Sequence, residues 1–245
     1  MIAIFRKELA AFFNAPIGYL IVSLFLVLNG LFLWVFRNNF NILDYGFADL
    51  SNFFLLTPWI FIFMIPAIAM RSFSEEKKTG TLELLLIKPI SKTKLVLGKF
   101  FGNFAVALIA LLPSILYIFA ISDLGVIEGN YDSGIVLGSY FGLFFLLGLY
   151  CSLGILASSL SDNQIFAFVL GAALCFLVFY GPEASSTLFS DGTTQLWLRD
   201  LGAKAHFEDI ARGVLDTRDI VYFLSLTVFV VILIIKQLLN QTTNT

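Results

Sequence analysis

Residues 75–91 read EEKKTGTLELLLIKPIS and connect two long apolar segments of the chain. In this stretch Gly80 permits a sharp break, Thr81 can begin a new short helix, and Pro89 ends it. Five of the six residues from Leu82 to Ile87 are apolar, which is too many for one buried face of a helix. Some of them must therefore contact either lipid headgroups or a groove in another protein. The stretch predicts a short, exposed, leucine-rich helix between two membrane spans.

The flanking segments have the composition of membrane helices. Of the 245 residues, 59% are apolar and only 13% are charged, against about 25% charged in ordinary globular proteins. A bilayer core about 30 Å thick needs about 20 apolar residues in a helix. Charge-free windows predict an all-α polytopic membrane protein that forms a single domain over residues 1–245. Its six predicted spans are residues 17–36, 53–70, 101–121, 135–160, 163–180 and 220–235.

The distribution of lysine and arginine predicts the orientation. Cytoplasmic loops of membrane proteins retain positive charge. With the N-terminus inside, ten basic residues lie in the inner segments and five lie in the outer segments. We therefore expect a multi-pass protein of the cell inner membrane with both termini cytoplasmic. Residues 71–100 would then form a cytoplasmic loop, and residues 181–219 would form the main outer loop. The opening of the chain lacks the features of a cleavable signal peptide.

Two amphipathic helices are predicted outside the spans. Residues 1–16 place apolar side chains at helical spacing beneath a charged group, which is typical of a helix in the headgroup layer. The outer loop has a second pattern of this kind. The apolar side chains of the first helix are Ile2, Phe5, Leu9 and Phe12, beneath Arg6, Lys7 and Glu8; those of the second are Phe207, Ile210, Ala211, Val214 and Leu215, opposite Glu208, Asp209 and Arg212.

The sequence offers little for catalysis or ion coupling. No charged residue lies well inside a predicted span, which disfavours an ion-driven carrier. The only histidine, His206, would lack partners for a metal site, so we expect it to be solvated or interfacial. The cysteines, Cys151 and Cys175, lie in apolar runs and are expected to be structural. No G-x-x-x-x-G-K-[ST] motif occurs. We therefore expect no catalytic residue, no metal and no cofactor in this chain.

Small residues recur along the fourth span. Their spacing includes one G-x-x-x-G pattern, which lets helix backbones approach closely. The contact partner stays open: it is either another helix of the same chain or a second subunit. The residues are Gly138, Gly142, Gly148, Ser152, Gly154 and Ser158.

The run at residues 75–91 resembles the inner loop of the type-2 ABC exporter permeases. Three further segments are similar to that family: FRKELAAFFNAPIGYL at residues 5–20, SLSDNQIFAF at 159–168 and HFEDIARGVLDTRDIVYFLS at 206–225. Within the family the resemblance is closest to the gliding-motility permeases of Bacteroidetes, and permeases for nitrous-oxide-reductase maturation are near neighbours. Two other classes compete with this interpretation: a membrane scaffold that needs no ATPase, and the secondary transporter already disfavoured.

The resemblance implies a mechanism. The short inner helix would dock in a cleft of a separate GldA-like ABC ATPase, which would bind ATP and magnesium. The resemblance also implies a second permease subunit, either GldG-like or another copy of this chain. The residues implied in ATPase coupling are Gly80, Thr81, Leu82, Glu83, Leu84, Leu85, Leu86 and Ile87, with a polar approach of Glu75, Glu76, Lys77 and Lys78, and with Arg6, Lys7 and Glu8 of the connecting helix.

Overall fold

The computed structural model describes residues 1–45, 49–87, 90–125, 129, 131–213 and 216–243. These residues are largely helical and include no β-strand, so the all-α class is confirmed. Six segments are long and apolar enough to cross a membrane, as predicted. Their bounds are Pro16–Val35, Ser51–Lys78, Lys92–Leu124, Ser133–Leu160, Gln164–Ser186 and Thr217–Asn240.

We number the described α-helices in chain order. The first eight are α1 (Ile2–Phe13), α2 (Pro16–Gly30), α3 (Ile42–Tyr45), α4 (Ser51–Ala69), α5 (Arg71–Lys78), α6 (Thr81–Ile87), α7 (Lys92–Leu111) and α8 (Leu116–Leu124). The others are α9 (Ser133–Leu160), α10 (Gln164–Ser186), α11 (Gly192–Asp200), α12 (Ala203–Ala211) and α13 (Thr217–Thr243). A π-helical segment, Leu31–Val35, extends α2, and a 3-10 turn at Leu112–Ile115, which contains Pro113, joins α7 to α8.

Several helices extend past the apolar windows. The second span continues from α4 into α5 through Met70, whose φ of −55° and ψ of −29° are helical. The third span begins at Lys92 rather than near residue 101. A hydropathy window finds residues that tolerate hydrocarbon, whereas a helix ends only where its backbone hydrogen bonding ends. The inner loop is therefore much shorter than residues 71–100 and consists mainly of α6.

Side-chain caps mark several helix starts. The Asp132 carboxylate accepts hydrogen bonds from the backbone N–H groups of Gly134 and Ile135 at 2.9 and 3.1 Å and begins α9. Asn163 caps α10 in the same way, directly after the three-residue turn that follows α9. Such caps satisfy backbone donors that have no acceptor within the helix. The tight hairpin between the fourth and fifth spans is confirmed.

Helix α9 lies at the centre of the bundle and packs against α4, α10, α12 and α13. Its small residues allow these close approaches within the chain. A Cβ atom at Gly138 would lie 2.9 Å from the Ile210 carbonyl oxygen of α12, and one at Gly154 would lie 2.8 Å from the Ala69 Cβ of α4. Gly142 also faces α12, at Ile210 and Phe207, whereas Gly148 has more room.

Replacing Gly154 by alanine is expected to lower the free energy of unfolding by about 1–3 kcal/mol, because the added methyl overpacks the α4 contact. The matched control is Gly148→Ala, where the nearest heavy atom to the new Cβ is 3.8 Å away. Alanine is the better helix former by about 0.5–1 kcal/mol, so this control should be neutral or slightly stabilising. Thermal unfolding of both variants in detergent measures the difference, and equal stability would contradict the packing argument.

The end of the bundle that carries α11 and α12 is more structured than a loop. Phe207 and Ile210 of α12 are buried and Ala211 is half-buried, as the amphipathic pattern predicts; Val214 and Leu215 lie outside the described residues. His206, expected to be solvated or interfacial, is half-buried and has a partner in α13. Its Nδ1 lies 2.6 Å from Asp219 Oδ1, and its ring stacks on Tyr222. His206 thereby joins α12 to the start of α13.

Candidate coupling site

The short helix α6 lies beyond a sharp corner at the end of α5. Gly80 forms this corner with a φ of +69°, a left-handed conformation that glycine adopts without steric cost. The Thr79 hydroxyl donates to the Glu75 carbonyl at 2.8 Å and lies 2.9 Å from the Thr81 hydroxyl. The predicted break at Gly80 and the start of a new helix at Thr81 are therefore confirmed. Pro89, predicted to end this helix, lies outside the described residues.

One side of α6 packs on the protein and another faces away from it. Leu82 is 5% exposed and belongs to the core, and Leu85 is half-buried. In contrast, Leu84 is 63% exposed and Ile87 is 80% exposed, and the polar side chains of Thr81 and Glu83 are also exposed. Leu86 lies in the same helix. The outer face of α6 is thus an apolar surface with no partner among the described residues.

A buried lysine holds α5, the helix that carries α6. Lys99 of α7 is 1% exposed, and its Nζ lies 2.8 Å from Glu8 Oε1 of α1 and 3.0 Å from Glu76 Oε2 of α5. The same ammonium group donates to the Ser72 carbonyl and lies 4.8 Å from the centre of the Phe73 ring. The contact with Glu8 has hydrogen-bond geometry, whereas Glu76 Oε2 makes a charge contact without it. One cation therefore joins three helices.

Two more side chains join the polar contacts around Lys99. Lys7 of α1 donates to Glu76 Oε1 at 2.8 Å. The pKa of Lys7 is raised above its usual value: partial burial alone would lower it, but the hydrogen bond and the negative charge of Glu76 outweigh that. Asn103 of α7 donates to the Ser72 hydroxyl at 2.7 Å. We call Lys7, Glu8, Glu76, Lys99 and Asn103 the inner polar cluster.

Helix α1 approaches α7 closely because two glycines of α7 face it. A Cβ atom at Gly98 would lie 2.9 Å from the Ile4 Cβ, and one at Gly102 would lie 2.6 Å from the Glu8 Cβ. The side of α1 that packs on the bundle therefore carries Ile4 and Glu8. The residues of the expected apolar face are more accessible to solvent than Ile4, and Ile2 is 67% exposed. The predicted α1 exists, and two residues of its predicted apolar face, Leu9 and Phe12, are half-buried against the core.

The first turn of α5 is held by a serine of α9. The Ser158 hydroxyl accepts hydrogen bonds from the backbone N–H groups of Phe73 and Ser74 at 2.9 and 3.1 Å, and it donates to the Met70 carbonyl at 2.9 Å. No side chain of α5 itself caps this end. The spacing of Ser72 and Glu75 suggests a capping box, but the Ser72 hydroxyl instead accepts from Asn103.

The last turn of α5 contacts the end of α9, which in turn contacts α13. Lys77 Nζ donates to the Ser159 carbonyl, and Gln237 of α13 donates to the same oxygen at 2.8 Å. The Ser159 hydroxyl in turn donates to Gln237 Oε1 at 2.6 Å. Helix α5 is therefore joined by direct polar contacts to α1, α7 and α9, and through Ser159 of α9 to α13. All of these contacts lie at the end of the bundle that carries α6, which we call the α6 end.

The structure separates the sequence-predicted coupling residues into two groups. Glu75 and Lys78 are exposed on α5, and Arg6 is exposed on α1, where a partner can reach them. Glu76, Lys7 and Glu8 are instead engaged with one another through the inner polar cluster.

Sequence reasoning missed Ser72, Lys99, Asn103 and Gln237. Two signals could have found part of this group. Asn103 is a polar residue within an apolar run. Gly98 and Gly102, which directly precede Lys99 and Asn103, form a G-x-x-x-G pattern. Lys99 was assigned to a loop because a charge-free window excludes every lysine, including one that is buried against carboxylates.

The chain also matches the model of a known protein family. A family model described as ABC-2 family transporter protein matches residues 2–196, which include α1, the first five spans and α6. The chain belongs to this family. A comparison with curated proteins finds no match. As an ABC-2 protein, the chain is the membrane permease component of an ABC transporter, and the family implies a lipid bilayer and an ABC ATPase as its partners.

Proposed function

We propose that α6 is the coupling helix through which a separate ABC ATPase moves this permease. The observation that carries the proposal is the exposed apolar face of α6, formed by Leu84 and Ile87, on a helix that packs on the bundle through α5 and the buried Leu82. An apolar face of this kind fits a groove in a protein partner. Glu75 and Lys78 are exposed on α5, the helix that precedes α6, and offer polar side chains to the same partner.

The contacts of α5 provide the path for the movement. A displacement of α6 reaches α5 across two residues, Thr79 and Gly80, and α5 continues directly into the second span. The inner polar cluster carries the same displacement to α1 and α7, and Ser158 carries it to α9. ATP binding and hydrolysis in the partner would therefore rearrange several spans together.

We propose that the α6 end faces the cytoplasm of a cell with an inner membrane. The sequence places ten basic residues in the segments at this end and five in those at the other. This asymmetry is the usual sign of the cytoplasmic side. Both termini would then be cytoplasmic, and α11 and α12 would lie on the outer side.

The finer assignment follows the sequence resemblance. We propose that the chain acts like the gliding-motility permease GldF, with a GldA-like ATPase and either a GldG-like second permease or a second copy of itself. ATP and magnesium would bind in the ATPase and not in this chain. The alternative within the family is a permease for nitrous-oxide-reductase maturation, which has a similar inner loop.

Co-purification tests the coupling helix. The full chain is co-expressed with a GldA-like ABC ATPase and extracted in mild detergent. Leu84→Asp and Ile87→Asp should each reduce the recovered ATPase at least tenfold, because a carboxylate would be buried in the groove at a cost of several kcal/mol. Both positions are exposed, so the variants should insert and fold normally. Leu188→Asp is the matched control, since Leu188 is 82% exposed in the turn that follows α10.

Two results would overturn the proposal. The first is full retention of the ATPase by both α6 variants in correctly folded protein, which would favour a scaffold that needs no motor. The second is labelling of a cysteine at Ile87 only from the outer side of the membrane. ATP hydrolysis by the isolated chain would contradict the assignment of ATP to the partner.

A further inference from the structure

A cavity of about 430 Å³ opens at the α6 end between α1, α2, α7 and the junction of α4 with α5. This volume is within the range of small-molecule sites, about 300–1,000 Å³. Part of its wall is polar and comes from Lys7, Arg71, Glu75 and Asn103. The proposed docking face of α6, formed by Leu84 and Ile87, is not part of this wall.

The cavity lies at the depth of lipid headgroups. Helix α4 has 19 residues, which corresponds to about 28 Å at about 1.5 Å per residue and matches a hydrocarbon core about 30 Å thick. Arg71 follows the end of α4 by two residues. Its guanidinium group is therefore at the level where phospholipid phosphates lie.

An apolar wall continues from the polar part toward the hydrocarbon. It is formed by Ile17 and Ile21 of α2, Ile68 of α4 and Val106 of α7. Ile68 is one turn before Arg71 on the hydrocarbon side, and Val106 is one turn beyond Gly102 in the same direction. A lipid whose headgroup occupies the polar part could thus lay an acyl chain along this wall.

Pairing among the charged groups leaves two of them, Arg71 and Glu75, without a close ion-pair partner among the described residues, although the Glu75 carboxylate acts electrostatically on Lys7. Glu8 and Glu76 are neutralised by Lys99 and Lys7. Arg71 has a buried Nε that meets no hydrogen-bond acceptor in the part of the chain that the structure describes. Glu75, four residues later, forms no ion pair among those residues. An arginine that precedes a glutamate by four residues has the less favourable order for pairing on a helix.

We propose that this cavity binds a phospholipid whose headgroup carries both a phosphate and a primary amine, namely phosphatidylethanolamine. The Arg71 guanidinium binds the phosphate with paired N–H donors, and the Glu75 carboxylate accepts from the ammonium group. The bound lipid fills the space between α1 and the α4–α5 junction and stabilises their contact. This inference goes beyond the docking of an ATPase and does not depend on it.

The charges of the wall favour this headgroup over an anionic one. Phosphatidylglycerol would satisfy Arg71 but would leave the Glu75 carboxylate beside an uncharged glycerol and near a second negative group. Phosphatidylcholine is also zwitterionic, but its quaternary ammonium group has no N–H to donate. The expected order of affinity is therefore phosphatidylethanolamine first, with phosphatidylcholine and phosphatidylglycerol both weaker.

Native mass spectrometry of the full chain, titrated separately with the three lipids in detergent, measures this order. Arg71→Gln should weaken binding of phosphatidylethanolamine at least tenfold, and Arg71→Lys should retain part of it. Glu75→Gln changes an exposed side chain, so folding should be unaffected. This variant should lower the ratio of phosphatidylethanolamine to phosphatidylglycerol binding at least fivefold. The matched control, Lys94→Gln, removes an exposed cation at the same end and should leave all three affinities unchanged.

Three outcomes would overturn the site. These are equal affinity for phosphatidylethanolamine and phosphatidylglycerol in the unmodified chain, an unchanged lipid ratio in Glu75→Gln, and equal loss of binding in Arg71→Gln and Lys94→Gln. Free phosphoethanolamine provides a separate arm of the experiment. It should compete only weakly, because it lacks the acyl chains that contact Ile17, Ile21 and Val106. Competition as strong as that of the lipid would contradict the role of the apolar wall.

Discussion

Replacing Lys99 by methionine should lower the free energy of unfolding by about 3–5 kcal/mol, the usual cost of removing one partner from a buried ion pair. The Lys99 ammonium group is the shared cation of Glu8 and Glu76, both of which are largely buried. Without it, two carboxylates face each other with only Lys7 beside them. Unfolding of the full chain in mixed micelles measures the loss.

Two further variants separate charge from packing at this position. Lys94→Met removes an exposed lysine from the first turn of the same helix and should change stability by less than about 0.5 kcal/mol. Lys99→Met combined with Glu8→Gln leaves Glu76 paired with Lys7 and should recover a large part of the loss. If Lys99→Met were as stable as Lys94→Met, the buried cation would not hold the three helices together.

Replacing Ser158 by alanine should lower the free energy of unfolding by about 2–4 kcal/mol. The hydroxyl is the acceptor for the N–H groups of Phe73 and Ser74, and a buried donor that loses its acceptor costs about 1–3 kcal/mol. Because these groups begin α5, the variant should also make the position of α6 less defined and reduce its binding to the ATPase.

Ser152→Ala is the matched control on the same helix. Both serines are fully buried, but the Ser152 hydroxyl donates only to the Leu149 carbonyl of its own helix at 2.7 Å. That carbonyl keeps other hydrogen-bonding options, so this variant should be close to neutral. Thermal unfolding and hydrogen exchange of residues 71–78 should distinguish the two variants, and an equal effect would contradict the role given to Ser158.

Much of the architecture is predictable because it depends on local patterns. Hydropathy alone predicts six spans, since a membrane helix needs a long apolar segment whatever its neighbours are. The break at Gly80 is predictable for a similar reason, because a left-handed residue strongly favours glycine. The short helix from Thr81 to Ile87 also follows from its own residues.

Contacts between distant segments are the part that sequence reasoning missed. Ser158 belongs to the small-residue pattern of α9, but its spacing suggests only close packing and not a hydrogen bond to α5, 85 residues away. The ion pair of Lys99 was missed for the same reason. Its pairing with Glu8 is 91 residues distant in sequence, and no periodicity within one segment relates the two.

The length of the segment from Ser51 to Lys78 has a mechanical consequence. These 28 residues, which include Pro58 and Pro66 inside α4, form a helical rod about 42 Å long at about 1.5 Å per residue. Rotating such a rod by roughly 10° about one tip displaces the opposite tip by roughly 7 Å at that length. A small rotation at the Gly80 end of the rod would therefore produce a larger displacement at its Ser51 end, on the other side of the bilayer.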